Sequence, residues 1–276
     1  MRGNFRMSAR VIGSFVAAVA LMGVLVSCAP AAPGEDVVTA AGGADMAVPR
    51  LSNGRPDFSG VWDHPRVGDI TRDGEGCAGG SEGCVQVGNG PLMFTEAGQA
   101  LRDMNDEDYY DYGSHCMPWG FLRAYGTPYP HAYVHSPDRL AILWEQDNAW
   151  HMVPTYEGVD FPSDMEPTWR GTSIGRWEGD TLVITTTGFN GQTWLDSARN
   201  PLSTELMQTV RVTRPDYNHI NFDITLEDST YYSETMHNSR TFVLMGPGQE
   251  LYEYSCSENN RCENGDCTPS DVQAGN

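Results

Sequence analysis

The sequence predicts a mainly β protein: an antiparallel β-barrel of lipocalin type, or alternatively a two-sheet β-sandwich, with one short helix. Three observations lead there. Short apolar runs of strand length recur from residue 133 to residue 256, clusters of Pro, Gly, Asp and Asn separate them, and only one segment has helical spacing.

The helix comes first, over Thr95 to Met104, with Thr95 as N-cap and Ala97, Ala100 and Leu101 on one side. A meander follows. Tyr133 to His135, Leu140 to Glu145 and Trp150 to Thr155 are joined by the turn sequences Ser136-Pro137-Asp138-Arg139 and Gln146-Asp147-Asn148-Ala149. Thr172 to Trp177 and Thr181 to Thr187 form the next hairpin, around Glu178-Gly179-Asp180, with Leu182 and Ile184 alternating with Val183 and Thr185. Leu206 to Thr213 pairs with His219 to Leu226 across Pro215-Asp216-Tyr217-Asn218. Arg240 to Leu244 is expected to pair with Gln249 to Cys256 across Gly246-Pro247-Gly248. Nine or ten sequential antiparallel strands either pack as two sheets or close into a barrel, and only closure removes the exposed edges. A closed barrel of about eight strands can hold one small ligand.

Residues 1–27 do not belong to this domain. Arg2, Arg6 and Arg10 precede an apolar run that begins at Val11 and ends in Leu25-Val26-Ser27-Cys28. That layout is a secretory signal, and its ending resembles a bacterial lipobox, in which Cys28 is acylated and becomes the mature N-terminus. A transmembrane anchor needs about 20 apolar residues, and this run is shorter. Two or three acyl chains, at about 0.8 kcal/mol per buried methylene, hold a protein on a membrane durably. Ala29 stands where an inner-membrane retention signal carries aspartate, so the expected location is the outer membrane, facing the periplasm. Residues 28–54, rich in Ala, Gly and Pro, read as a flexible tether. Residues 55–260 read as one β domain, and residues 261–276 as a cysteine-containing tail.

Removal of the signal keeps all 37 acidic residues and takes three of the 17 basic ones, so the formal charge moves from −20 to −23. Nucleic acid is excluded as a partner by that charge; a small-molecule ligand and the membrane, through the lipid, are the expected partners. The chain has no lysine, which excludes Schiff-base chemistry, Ser-Lys hydrolysis and the Walker phosphate loop. Arginine alone is left to orient an anion. No cofactor is expected.

Cysteines 77, 84, 116, 256, 262 and 267 remain besides the lipidated one, an even number in an oxidising compartment. Cys77 with Cys84 and Cys262 with Cys267 are the local pairings, leaving Cys116 with Cys256. By loop-closure entropy the local bridges are worth about 2.5 kcal/mol each and the long one about 5. Cys-x6-Cys and Cys-x4-Cys are poor zinc spacings.

At Pro56-Asp57-Phe58-Ser59-Gly60-Val61-Trp62, and from Pro167 through Gly175-Arg176-Trp177-Glu178-Gly179-Asp180 to Ile184, the chain resembles a large family of exported bacterial proteins of unassigned function. Gly188-Phe189-Asn190, Thr193-Trp194-Leu195-Asp196, Cys116-Met117-Pro118 and the segment Leu251 to Asn259 extend the resemblance over nearly all of residues 55–260. It implies one exported domain and brings no reaction with it. Members commonly carry a His-Ser-Asp-x-Leu-His segment followed by Glu-Arg; here the stretch is Leu202 to Met207 with Val210-Arg211, lacking both histidines and the glutamate.

The segment from Trp169 to Asp196 is dense in Trp, Arg, Asp and Asn, the mix found at the polar end of apolar pockets. Trp169, Arg176, Asn190, Trp194 and Asp196 are the candidate ligand-binding residues. Asp196 and Glu205 are the candidate acid-base groups, with His115, His131, His135 and His151 as imidazole candidates. His131 and His135 face one side of a strand about 13 Å apart, too far to share a metal ion; no metal site is expected. Gly171-Thr172-Ser173-Ile174-Gly175 has the letters of a nucleophile elbow, but a β hairpin follows it rather than a helix. The aromatic stretch Trp119 to Tyr133 reads as a lid or a plug for the barrel. The function expected first is ligand binding in the barrel. A cofactor-independent isomerase, cyclase or hydrolase using Asp196 or Glu205 is the alternative, and a structural envelope lipoprotein the third.

Overall fold

In a computed structural model the described residues are 46–107 and 111–256. Cys28, the signal, most of the tether and the Cys262–Cys267 pairing lie outside them. The chain is mainly β, an antiparallel sheet that curls into a nearly closed barrel. Its strands are β1 (Gly60–Asp63), β2 (Gly74–Glu75), β3 (Val85–Val87), β4 (His131–Ser136), β5 (Arg139–Trp144), β6 (Ala149–Pro154), β7 (Thr172–Glu178), β8 (Thr181–Thr187), β9 (Met207–Thr213), β10 (His219–Glu227) and β11 (Met236–Leu244). Two helices accompany them, α1 (Glu96–Glu107) and α2 (Phe121–Ala124).

The sheet runs β6-β5-β4-β1-β11-β10-β9-β8-β7. Three local hairpins and a meander supply most of it, and β1 joins the two halves by pairing with β4 on one side and with the end of β11 on the other. The rest of that edge of β11 pairs with β3, which carries β2 as a small flap. Between β6 and β7 there is no ladder among the described residues, and side chains close the seam. His151 Nε2 lies 2.7 Å from Ser173 Oγ, which lies 2.7 Å from Thr186 Oγ1, so one hydrogen-bonded chain ties β6, β7 and β8. Gly175 lets the strands approach: a Cβ there would fall 2.8 Å from Thr155 Cγ2.

Alternation puts Leu182 and Ile184, Val210 and Val212, Ile220, Phe222 and Ile224, and Leu140, Ile142 and Trp144 into the lumen. The lumen is filled. Residues 121–125 enter it fully buried, with the Tyr125 ring packed on Trp144 (5.1 Å), Phe242 (5.4 Å) and Phe222 (5.5 Å), and its hydroxyl 3.0 Å from that of Tyr133. The stretch from Trp119 is therefore a plug.

α1 begins where the sequence places it: Thr95 Oγ1 accepts from the Gly98 amide and donates to Thr230 O. Gly98 permits the docking, since a Cβ there would fall 2.0 Å from Tyr231 O. The expected hairpin of residues 240–244 with 249–256 does not form. β11 gives its hydrogen bonds to β10 and β1 instead, and residues 252–254 lie against the turn after β5, where the Tyr252 amide donates to Glu145 and the Tyr254 amide to Asn148.

The disulfides Cys77–Cys84 and Cys116–Cys256 both form, with Cα atoms 4.9 and 5.6 Å apart. Near the first, Asp63, Cys77 and Cys84 bring possible ligand atoms within 4.8 Å of one another. Both sulfurs are committed to the bridge, and the Asp63 carboxylate accepts from the amides of His64, Gly79 and Ser81, so the cluster is a loop clamp.

Candidate functional site

The site grows from Arg123. The plug carries it into the protein beside Tyr125, where it is 2% exposed. Its guanidinium carbon lies 4.2 Å from the Trp119 ring, 4.6 Å from Tyr112 and 5.1 Å from Trp194, an aromatic box that favours a desolvated cation. Nη2 pairs with Asp111, which also caps the turn at Tyr112–His115. Burial works against the charge of Arg123, but Tyr112 and Asp111 restore it and hold the group above its ordinary value.

Asp147 approaches from the other side. The Gln146–Asn148 turn puts Asp147 and Asn148 at φ +62° and +47°, a conformation that Asx residues tolerate. Burial raises the Asp147 carboxyl above its ordinary value, while Gln146, the Trp119 backbone, Arg170 and Arg123 pull it back. Arg170, just before β7, is lowered by burial and supported by Asp147 and Tyr112.

These residues concentrate unmet hydrogen-bonding capacity. Trp119 Nε1, Arg123 Nε and Nη1, Arg170 Nε and Thr193 Oγ1 are buried without a hydrogen-bond partner, as is one acceptor, Asp147 Oδ2. Each such group costs about 1–3 kcal/mol when left unpaired, and the donors outnumber the acceptor. Beside Asp147 and Arg170 opens a cleft of about 460 Å³, lined also by Trp150 and Tyr254 and walled by the Cys116–Cys256 bridge. That size suits a small molecule.

Among the candidate ligand-binding and acid-base residues, only Trp194 packs on Arg123. Trp169 is half-buried next to Arg170. Arg176 points outward from β7, donating to Val159 O and lying 3.7 Å from Asp160. Asn190 caps the Gln192 amide. Asp196 is 1% exposed and its two oxygens accept from the amides of Ile70 and Asn200 and from Asn200 Nδ2, while burial raises its pKa. Glu205 is exposed, its amide bonded to Ser203 Oγ. The imidazoles also separate: His131 sits inside an aromatic cage, His135 stacks on Phe58, His151 belongs to the seam, and the side chain of His115 lies outside the described residues. Ser173 lies within a strand, 2% exposed and bonded on two sides, which makes it the seam's bridge rather than an exposed nucleophile.

Sequence reasoning passed over Tyr112, Asp147, Arg170 and Thr193. A signal existed for Arg123, an arginine set among Trp119, Phe121 and Tyr125 in a stretch expected to cover the barrel. No protein-family model and no curated protein matches the chain.

Proposed function

We propose that this is an outer-membrane lipoprotein, anchored through Cys28 and facing the periplasm, that binds a small, partly apolar or aromatic ligand at the mouth of its barrel. The observation that carries the proposal is the cleft of about 460 Å³ whose lining residues Arg170 and Asp147 each hold a buried polar atom, Nε and Oδ2, without a hydrogen-bond partner. The packed lumen directs the ligand to the cleft above the plug. The enzyme alternative draws less support, because the Asp196 oxygens are engaged by Ile70 and Asn200 and Glu205 lies on an exposed turn.

Native mass spectrometry of the mature lipoprotein, purified from its own envelope without reductant, tests this. A retained small-molecule mass that is lost in Trp150→Ala is the expected result. A bare mass, together with no thermal protection by any envelope extract, would leave the structural lipoprotein as the better account.

A further inference from the structure

We infer that the ligand is a small aromatic carboxylic acid bearing a hydroxyl group, held by Arg170 at its acid end and by Asp147 at its hydroxyl. This rests on the proposed binding at the mouth and assigns its chemistry. Three features of the cleft converge on it.

The first is the sign of the unmet capacity. Arg170 lines the cleft, and its Nε is a buried donor without a partner. A group rich in acceptor oxygens is what satisfies Arg170. A carboxylate does so with charge-assisted bonds, which are about twice as strong as neutral ones. The Arg123 charge, kept by Asp111 and the aromatic box, adds a second positive centre that a neutral ester cannot exploit.

The second is Asp147. Its Oδ2 is the single unpartnered acceptor of the group and lies where Arg170 and Arg123 both act on it electrostatically. A ligand hydroxyl supplies a donor to it without adding charge. The third is the wall. Pro118, Ala149, Trp150 and Tyr254 give the cleft an apolar and aromatic side, and Trp150 is 66% exposed. The rings of Trp119, Tyr112 and Trp194 are already engaged with Arg123 and that of Tyr254 packs against Tyr129, so Trp150 is the exposed face left for a planar ligand.

The test uses the full mature lipoprotein in detergent and three probes of one shape: 4-hydroxybenzoate, its methyl ester and benzoate, titrated calorimetrically at fixed ionic strength. 4-Hydroxybenzoate is expected to bind at least about tenfold tighter than the ester, and tighter than benzoate, as expected for charge-assisted bonds. Arg170→Gln abolishes the preference for acid over ester, and Asp147→Asn abolishes the preference for 4-hydroxybenzoate over benzoate. Equal binding of acid and ester to the unmodified protein overturns the inference, whatever the variants do. If the ester alone binds and Trp150→Ala weakens it, binding at the mouth stands and the acid assignment falls. If none of the three binds and the protein from the envelope carries no small molecule, both fall together.

Discussion

Arg123 and Tyr125 sit two positions apart on the plug and do opposite work. Tyr125 fills the barrel with hydrocarbon, touching Trp144, Phe222, Phe242 and His131 and spending its hydroxyl on Tyr133. Tyr125→Ala leaves a cavity in a close-packed core and is expected to lower stability by about 3–5 kcal/mol, read as a fall in urea midpoint with the slope unchanged. Trp150→Ala removes an exposed ring and should leave stability within about 0.5 kcal/mol of the unmodified protein, so the two variants separate packing from binding. Asp196 belongs with Tyr125 rather than with the site. Its carboxylate fixes the loop at Ile70 to the turn at Asn200, and in Asp196→Asn one of those donors meets an NH₂ instead. The expected cost is about 1–3 kcal/mol, with binding of 4-hydroxybenzoate unchanged at temperatures where the variant stays folded. An Asp196→Asn protein of normal stability that has lost binding would reassign this residue to the site.

At the level of elements, the weak line of the barrel is the seam between β6 and β7, closed by the His151–Ser173–Thr186 chain in place of a ladder. Ser173→Ala strands His151 Nε2 and Thr186 Oγ1, at about 1–3 kcal/mol, and amide exchange should quicken in β6 and β7 well before it does in β10. Uniform quickening across all strands would mean that the seam is no weaker than the rest. The hairpins were legible because their turns are local and chemically explicit: Glu178-Gly179-Asp180 and the alternation of Leu182 and Ile184 announce β7 and β8. β1 and β3 were not, since short strands of three or four residues draw their stability from distant partners in β4 and β11. β11 begins four residues before the strand the sequence predicts, because Asn238 points inward, which breaks the apolar alternation that marks a strand. The site was hidden for a similar reason. Arg123, Asp147 and Arg170 come from a plug, a turn and a loop, and no spacing along the chain brings such residues together.

Over the whole molecule, four histidines sit in the described interior as neutral groups, and together they set its response to acid. Burial lowers His64 and His131 below the ordinary value and brings His135 and His151 down to about 4. His64 further lowers His131, Arg240 further lowers His64, and Asp57 pulls His135 back upward. Between the ordinary histidine pKa of about 6.5 and the folded values, the unfolded chain binds protons that the native protein refuses, so stability falls as the pH falls through that window. A depression from 6.5 to about 4 is worth on the order of 3 kcal/mol for each of His135 and His151. Asp147 and Asp196 act in the opposite direction, because burial raises them and the native state takes their protons first. Their effect begins only near the carboxylate range and offsets the lower end of the acid loss. Against a typical total of about 5–15 kcal/mol, the histidine step removes a large share of the stability between pH 6.5 and the carboxylate range. Urea midpoints measured at pH 7.5, 6.5, 5.5 and 4.5 should therefore drop steeply below 6.5, and His151→Gln should flatten part of the drop while lowering stability at pH 7.5. A flat profile from 7.5 to 4.5 would mean that these imidazoles reach water in the native state, which the aromatic cage around His131 does not permit as built.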